Sequence, residues 1–277
     1  MKKSIVLLIL FMLAAVFLLP VLLTLVGSLM SPGEVTARFA PGGGSFGKPR
    51  GLTLIPTMVT LKQYYTLLIE NAAYLNMFWK SVFYASVITV CANIFVIPLA
   101  FVFAKLPFRG SNVIFFIFLL TMMMPFQVTL LPVYIVLSRT GLLDTAWSLT
   151  LPSIFAPFGV FLLRQFIRGV PNEYTEAALL ETNSVIKILR YVIIPTAKNG
   201  VIAMSILIFA EAWNLVEQPI LFLSDPRKYP LSAAMNGIMT SNLNVAYSGS
   251  ILFLTPIVVL YLCFEEQIIE GLESYKW

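Results

Sequence analysis

Residues 82–104 read VFYASVITVCANIFVIPLAFVFA, a run of 23 residues without an aspartate, glutamate, lysine or arginine. A hydrocarbon core about 30 Å thick requires about 20 apolar residues in helical form. A strand of a membrane barrel alternates in polarity over about ten residues and is shorter than this run. The stretch therefore predicts a membrane-spanning helix.

Five further runs have a similar length and composition. The predicted spans cover residues 5–27, 82–104, 113–137, 145–163, 200–223 and 245–264. Lys2 and Lys3 before the first run also fit a signal peptide, but the run exceeds the 7–15 apolar residues of such a peptide and lacks a clear cleavage site, which favours a retained helix. We predict an all-α integral membrane protein with six transmembrane helices in a single domain, 1–277.

The composition of the whole chain excludes several classes of function. The 277 residues are 59% hydrophobic and 11% charged, with a mean hydropathy of +0.90, whereas an average soluble domain is about 25% charged. A soluble enzyme domain and intrinsic disorder are therefore both excluded. The chain has no histidine, and Cys91 and Cys263 lie in apolar runs, so we predict no catalytic residue and no metal site. We assign most of the basic residues behind the net charge of +5 to membrane flanks rather than to nucleic-acid binding.

The loops predict an orientation. With the N-terminus in the cytoplasm, ten lysines and arginines lie inside and eight outside, several of the latter in one long loop, which favours cytoplasmic N- and C-termini. The outer loop 28–80 contains a glycine-rich insert at 41–44 and an amphipathic stretch, Leu61–Tyr74, which we expect to form a solvated cap. Lys105 and Arg109, in the next inner turn, are expected to meet lipid headgroups.

The inner loop 164–198 contains two predicted short helices joined by a bend. Asn172 after Pro171 is a good N-cap, and Pro195 is expected to end the second helix. Periodicity alone leaves two interpretations: an amphipathic helix on lipid headgroups, or a knob in a groove of a soluble partner. Ala177 and Ala178 favour the knob, because small side chains let a partner approach the backbone closely.

Several motifs in this order resemble one family, the binding-protein-dependent ABC importer permeases. The sequence contains Pro171, then Glu176-Ala177-Ala178, a cationic amphipathic helix and Ile194-Pro195; it also contains Phe108-Arg109-Gly110, Met123-Met124-Pro125-Phe126-Gln127-Val128 and Gly141-Leu142-Leu143-Asp144-Thr145. Trp213-Asn214, Pro230-Leu231 and Glu270-Gly271-Leu272 resemble the carbohydrate-uptake subset, in particular the smaller six-helix permease of maltose-type transporters.

The resemblance implies a type I importer permease in the bacterial cytoplasmic membrane. Its partners would be a second homologous permease in a heterodimer, two ATP-binding cassette subunits and an extracytoplasmic solute-binding protein. The chain has no phosphate-binding loop motif, so ATP and Mg would bind on the partner ATPases and this chain would hold no cofactor. The residues implied in ATPase coupling are Glu173, Glu176, Ala177, Ala178, Leu179, Glu181, Thr182 and Asn183.

One residue of the coupling loop departs from the family pattern. Thr182 stands where the family typically has a glycine at the bend. A left-handed backbone is costly for a β-branched residue, so we expect the turn to shift to Asn183.

Polar residues in apolar spans predict the solute path. Ionisable groups within a span are costly and usually face a cavity or a partner. The candidates are Gln127, Glu211, Trp213, Asn214, Glu217 and Gln218. Glu217 at the outer interface and Trp213 as a packing anchor remain alternatives. The resemblance further implies that the outer loop Ser224–Asn244 contacts the binding protein.

We therefore predict an ATP-driven importer permease for a sugar or oligosaccharide, and not an enzyme. A polyol, a glycerophosphodiester or an osmolyte is the alternative solute. A gradient-driven secondary transporter is a further alternative, but the sequence shows no convincing inverted repeat.

Overall fold

The computed structural model describes residues 2–39, 55–241, 243–267 and 269. The glycine-rich insert at 41–44 and the Glu270-Gly271-Leu272 motif lie outside the described residues. Every regular element in the described ranges is a helix. The helices are α1 (Lys2–Ser28), α2 (Pro32–Phe39), α3 (Lys62–Tyr65), α4 (Ala72–Lys105), α5 (Ser111–Met122), α6 (Phe126–Arg139), α7 (Ala146–Ile154), α8 (Pro157–Gly169), α9 (Asn172–Glu181), α10 (Val185–Ile188), α11 (Ile194–Thr196), α12 (Lys198–Trp213), α13 (Glu217–Phe222), α14 (Leu231–Ser241) and α15 (Leu243–Cys263). Short π-helical turns at Thr66–Glu70 and Leu189–Ile193 and a 3-10 turn at Pro226–Lys228 complete the set.

Three helices are long and apolar enough to cross a membrane alone, and they are α1, α4 and α15. Three further pairs reach the required length only together, and each pair is bent. The bend is 99° between α5 and α6, 42° between α7 and α8, and 89° between Val185–Thr196 and α12. The count reaches six when each bent pair forms one span, which agrees with the predicted all-α membrane fold.

The breaks correct the expected continuous spans. The third predicted span, 113–137, divides before Pro125, the fourth divides before Pro157, and the fifth, 200–223, ends at Trp213 and resumes as α13. Proline lacks an amide hydrogen and its ring clashes with the carbonyl four residues earlier, so it is tolerated at or near a helix start. Pro219, the third residue of α13, fits this rule, because a helix continuing from Trp213 would bring its ring against an earlier turn.

The described residues form two compact units by their internal contacts. The first takes residues from Met1–Trp79 and Ala234–Pro256. In this unit Gln63 is buried, and its amide donates to the carbonyl oxygens of Gly27 at 2.9 Å and Met30 at 2.8 Å. The Tyr74 hydroxyl donates to the Gly249 carbonyl at 3.0 Å. Gln63, Leu67 and Tyr74 anchor the stretch Leu61–Tyr74 to this unit, while most of its other residues are exposed, in keeping with the expected solvated cap.

The second unit takes residues from Lys80–Ala233 and Ile257–Trp277. In it α12 packs along α8 with little space between the two backbones. A Cβ atom added to Gly200 would lie 2.4 Å from Cγ of Phe166, and one added to Gly159 would lie 3.3 Å from Cδ1 of Ile208. The two glycines therefore allow the close approach of these helices. This unit contains both candidate sites.

Candidate functional site

Helix α9 is exposed along nearly its whole length. Thr175 is the only buried residue among its ten, and Leu180 is 90% exposed. Tyr174 on the same helix, and Ile186 and Tyr191 just beyond it, are also exposed apolar side chains. A helix that buries one polar residue and exposes several large apolar ones gains little from its own chain, which is typical of a surface that a partner covers.

The predicted coupling residues lie together on α9 and in the bend after it. Two of them, Ala178 and Thr182, are half-buried. The other six are exposed, namely Glu173, Glu176, Ala177, Leu179, Glu181 and Asn183. Glu173, Glu176 and Ala177 are spaced three and four positions apart, so they share one face of the helix.

The bend after α9 forms without a left-handed residue. Thr182 has an extended backbone, with φ −152° and ψ 139°, and Asp144 is the only described non-glycine residue with positive φ. The Thr182 hydroxyl accepts a hydrogen bond from the Ser184 amide at 3.2 Å, and the Thr182 amide donates to Ala178 at 3.0 Å. The expected shift of the turn to a left-handed Asn183 was wrong, because the threonine side chain itself stabilises an extended bend.

The helix after the bend ends one residue beyond Pro195. A π-helical turn, Leu189–Ile193, lies directly before the short helix α11 that contains this proline. A π turn is wider than an α turn, which relieves the contact between a proline ring and earlier carbonyls. The helix ends at Thr196 and the chain then bends by 89° into α12, so the predicted end at Pro195 holds to within one residue.

A lysine, rather than an N-cap side chain, holds the start of α9. Pro171 occupies the N-cap position, and Asn172, the first helical residue, makes no capping hydrogen bond. Instead its Oδ1 accepts from Nζ of Lys105 at 2.7 Å, and the same ammonium donates to the Val170 carbonyl. Lys105 therefore joins the end of α4 to the start of α9, which corrects its expected role at the headgroups. Nearby, Nε of Arg164 donates to the Phe103 carbonyl at 3.0 Å.

A second candidate site is a cavity of about 890 Å³ at three helix breaks. Its lining includes residues at the breaks between α5 and α6, α7 and α8, and α12 and α13: Met122, Met124, Phe126, Phe155, Ala156, Pro157, Asn214, Leu215 and Val216. Irregular backbone at membrane depth is tolerated only where it is buried in protein or lines a water-filled space. The coincidence of three breaks at one cavity is therefore typical of a solute path.

Most of the predicted path residues meet at this cavity. Glu211, Asn214, Glu217 and Gln218 line it, and the Gln127 amide reaches Oε1 of Glu217 at 3.4 Å. Trp213 does not line it, because its side chain is fully buried and stacks on Phe209 with centroids 5.9 Å apart. This supports the packing alternative for Trp213. Sequence reasoning missed Ser153, which lines the cavity and donates to Oε1 of Gln218 at 3.4 Å.

The predicted outer loop Ser224–Asn244 is largely helical, because α14 and the start of α15 lie within it. Its first part is fixed to the turn before α7. Nζ of Lys228 lies 2.5 Å from Oδ2 of Asp144, and the Ser224 amide donates to Oδ1 of Asp144 at 3.1 Å. The hydrogen bond from Lys228 and that from the Ser224 amide hold the pKa of Asp144 below its ordinary value. Asp144 has a left-handed backbone, φ 61°, which an aspartate tolerates better than most residues.

No group of three or more acidic or cysteine side chains in the described ranges is placed to hold a metal ion. The geometry is instead typical of a membrane-embedded transport protein, with an exposed helix and a mostly apolar cavity that carries a few polar side chains between broken helices. Comparison with known proteins agrees with this class. The family described as binding-protein-dependent transport system inner membrane component matches residues 96–269, and the chain belongs to this family. It is therefore a transport subunit, and the resemblance drawn from the sequence is confirmed.

Individual relatives agree with the family. The chain is 29% identical to the arabinooligosaccharides transport system permease protein AraQ of Halalkalibacterium halodurans, over 80% of this chain and 81% of that protein. It is also 29% identical to the sn-glycerol-3-phosphate transport system permease protein UgpE of Salmonella typhimurium, over 62% of this chain and 63% of that protein. A chain of a bacterial ABC transporter involved in alginate import superposes with a TM-score of 0.76 at 20% identity, covering 96% of this chain and 95% of that one. The last comparison confirms the fold.

Proposed function

We propose that the chain is the transmembrane permease subunit of an ATP-driven, binding-protein-dependent importer for a sugar or oligosaccharide. It would lie in the bacterial cytoplasmic membrane with both termini in the cytoplasm. The observation that carries the proposal is the exposed helix α9, which presents Glu176, Ala177 and apolar side chains without a covering element of its own chain in the described part.

In this mechanism α9 fits a cleft of a partner ATPase. Two such ATPases would bind ATP and Mg, and closure of the ATPase dimer during each hydrolysis cycle would move α9 as a rigid body. Helix α8 connects α9 directly to the cavity, since it begins at the break at Pro157 and ends at Gly169, just before α9. Its 13 residues correspond to a rod of about 20 Å. Displacement of α9 would therefore reach the cavity through α8, as a shift of one packed element past another.

The solute class rests on the cavity and on the relatives. Neutral sugars are bound by hydrogen-bonding side chains beside apolar surface, and the cavity combines Asn214 and Gln218 with methionine and phenylalanine side chains. The arabinooligosaccharide permease is similar over a larger share of both chains than the glycerol-phosphate permease. A second homologous permease would complete the path opposite this cavity, and an external binding protein would deliver the solute.

Affinity purification of the tagged chain from its native membrane in mild detergent tests the proposal. We expect two ATPase subunits and a second permease to copurify, and reconstituted vesicles to import a neutral oligosaccharide only with ATP and the binding protein. Glu176→Lys and Ala177→Trp should abolish ATP-driven uptake while leaving membrane insertion intact. Glu70→Lys, which reverses the charge of another exposed glutamate, is the matched control. Normal uptake and normal ATPase capture in both α9 variants would refute the coupling role.

A further inference from the structure

We propose that Glu211 and Glu217 make the cavity a charge filter that accepts neutral glycosides and rejects anionic solutes such as sugar phosphates and uronates. The proposal rests on the permease function proposed above and specifies its solute. It concerns the face of the path that this chain contributes.

The first support is the uncompensated charge of the lining. The described lining residues include two glutamates and no lysine or arginine. The carboxylate of Glu211 has no hydrogen bond or ion pair to a described residue, and the contact of the Glu217 carboxylate within the described chain is with the neutral amide of Gln127 at 3.4 Å. A neutral amide orients a carboxylate without cancelling its charge. An anion in the cavity would therefore meet like charge in a medium less polar than bulk water.

The second support is a donor that faces the cavity without an acceptor. Gln218 is only 6% exposed, and its Oε1 accepts from Ser153. Its amide nitrogen has no hydrogen-bond acceptor among the described residues, although the side chain lines the cavity. A sugar hydroxyl satisfies both kinds of group, because it accepts from the Gln218 amide and donates to a carboxylate of Glu211 or Glu217.

The two kinds of solute named by the compared proteins differ in charge. Glycerol phosphate and alginate are anions, and arabinooligosaccharides are neutral. A lining with two carboxylates fits the neutral class. A unit charge within several ångströms changes the local concentration of a monovalent ion by roughly tenfold at intermediate dielectric.

The filter is tested by measuring which charged reagent reaches a cysteine in the cavity. The assembled importer in lipid nanodiscs receives Ser153→Cys in a Cys91→Ser, Cys263→Ser background. The thiol reacts with two small methanethiosulfonates of similar size, one carrying a trimethylammonium and one a sulfonate group. We expect the ratio of cationic to anionic labelling rates to fall by roughly tenfold or more when Glu211→Gln and Glu217→Gln are added. A cysteine at Ser111, outside the cavity, should show no change in this ratio.

Uptake by the wild-type importer, measured in parallel for arabinobiose and glycerol 3-phosphate, separates the two proposals. Arabinobiose uptake with an unchanged labelling ratio overturns the filter and leaves the permease function intact. A tenfold fall in the ratio with no uptake of either solute supports the filter and excludes arabinobiose as the solute. Uptake of glycerol 3-phosphate overturns the filter. If the double variant does not assemble, Glu217→Gln alone is measured and must lower the ratio severalfold.

Discussion

The link between Lys105 and the start of α9 predicts a measurable loss of coupling when the ammonium is removed. Lys105→Met keeps most of the side-chain stem and loses the hydrogen bonds to Val170 and Asn172. A hydrogen bond to a charged group contributes about 1.5–3 kcal/mol when well buried. Lys105 is half-buried, so solvent screening lowers this to about 1 kcal/mol for each bond. The total of about 2 kcal/mol corresponds to about a thirtyfold change in an equilibrium.

The assay is the amount of solute imported per ATP hydrolysed in proteoliposomes. We expect Lys105→Met to lower this ratio by up to about thirtyfold, while ATP hydrolysis continues. Asn172→Ala removes one of the two acceptors and should have a smaller effect. The double variant should be no worse than Lys105→Met alone, since both changes break the same contact.

Arg109→Met is the matched control, because it removes a cation from the same turn. Arg109 is exposed and has no hydrogen bond or ion pair to a described residue. Its ratio should equal that of the wild type. If Lys105→Met imports as much solute per ATP as the wild type, or if the losses in the double variant are strictly additive, the contact between Lys105 and Asn172 does not contribute to coupling.

Three further changes test local features of the fold. Thr182→Val removes the acceptor for the Ser184 amide and should lower the melting temperature of the purified complex by the equivalent of about 1 kcal/mol, whereas Thr182→Ser should not. The lowered pKa of Asp144 adds stability that is fully present above its ordinary value of 3.8 and is lost as the pH falls through the lower folded value; Asp144→Asn should remove this acid dependence from thermal melts. The Cβ atom that Gly200→Ala adds lies 2.4 Å from a neighbouring atom, so this variant should lower the free energy of unfolding by about 1–3 kcal/mol and abolish the gel-filtration peak of the assembled complex. Gly159→Ala should keep this peak, because its added atom lies 3.3 Å from the nearest neighbour.

The fold class could be predicted from the sequence because a membrane span requires about 20 consecutive apolar residues, and such a run is visible within one segment of the chain. Runs such as 82–104 are apolar over their whole length, and no soluble fold could cover them. The bounds of α9 were equally accessible, since Pro171 before it and the break after Glu181 are signals within a few residues of one chain segment.

Contacts between distant segments were not accessible in this way. Lys105 and Asn172 are 67 positions apart, and a cation at the end of a span is more commonly a headgroup ligand. Trp213 and Asn214 were both predicted to line the solute path, but the Trp213 ring is buried against Phe209. Side-chain direction at a helix end depends on the neighbouring helices, and no short window of sequence contains them.

The position of the cavity could not be predicted from the prolines of the sequence either. Pro125, Pro157 and Pro219 each mark a helix that starts anew, and proline is the residue expected there. Yet other prolines lie inside helices that continue, namely Pro20, Pro98, Pro132, Pro152 and Pro256. A broken helix in a membrane leaves several backbone groups without partners, and that cost is acceptable only where water or a solute can satisfy them. Residues at the breaks near Pro125, Pro157 and Pro219 all line the cavity, and this shared surrounding, which no short window of sequence contains, distinguishes these breaks from the prolines inside continuous helices.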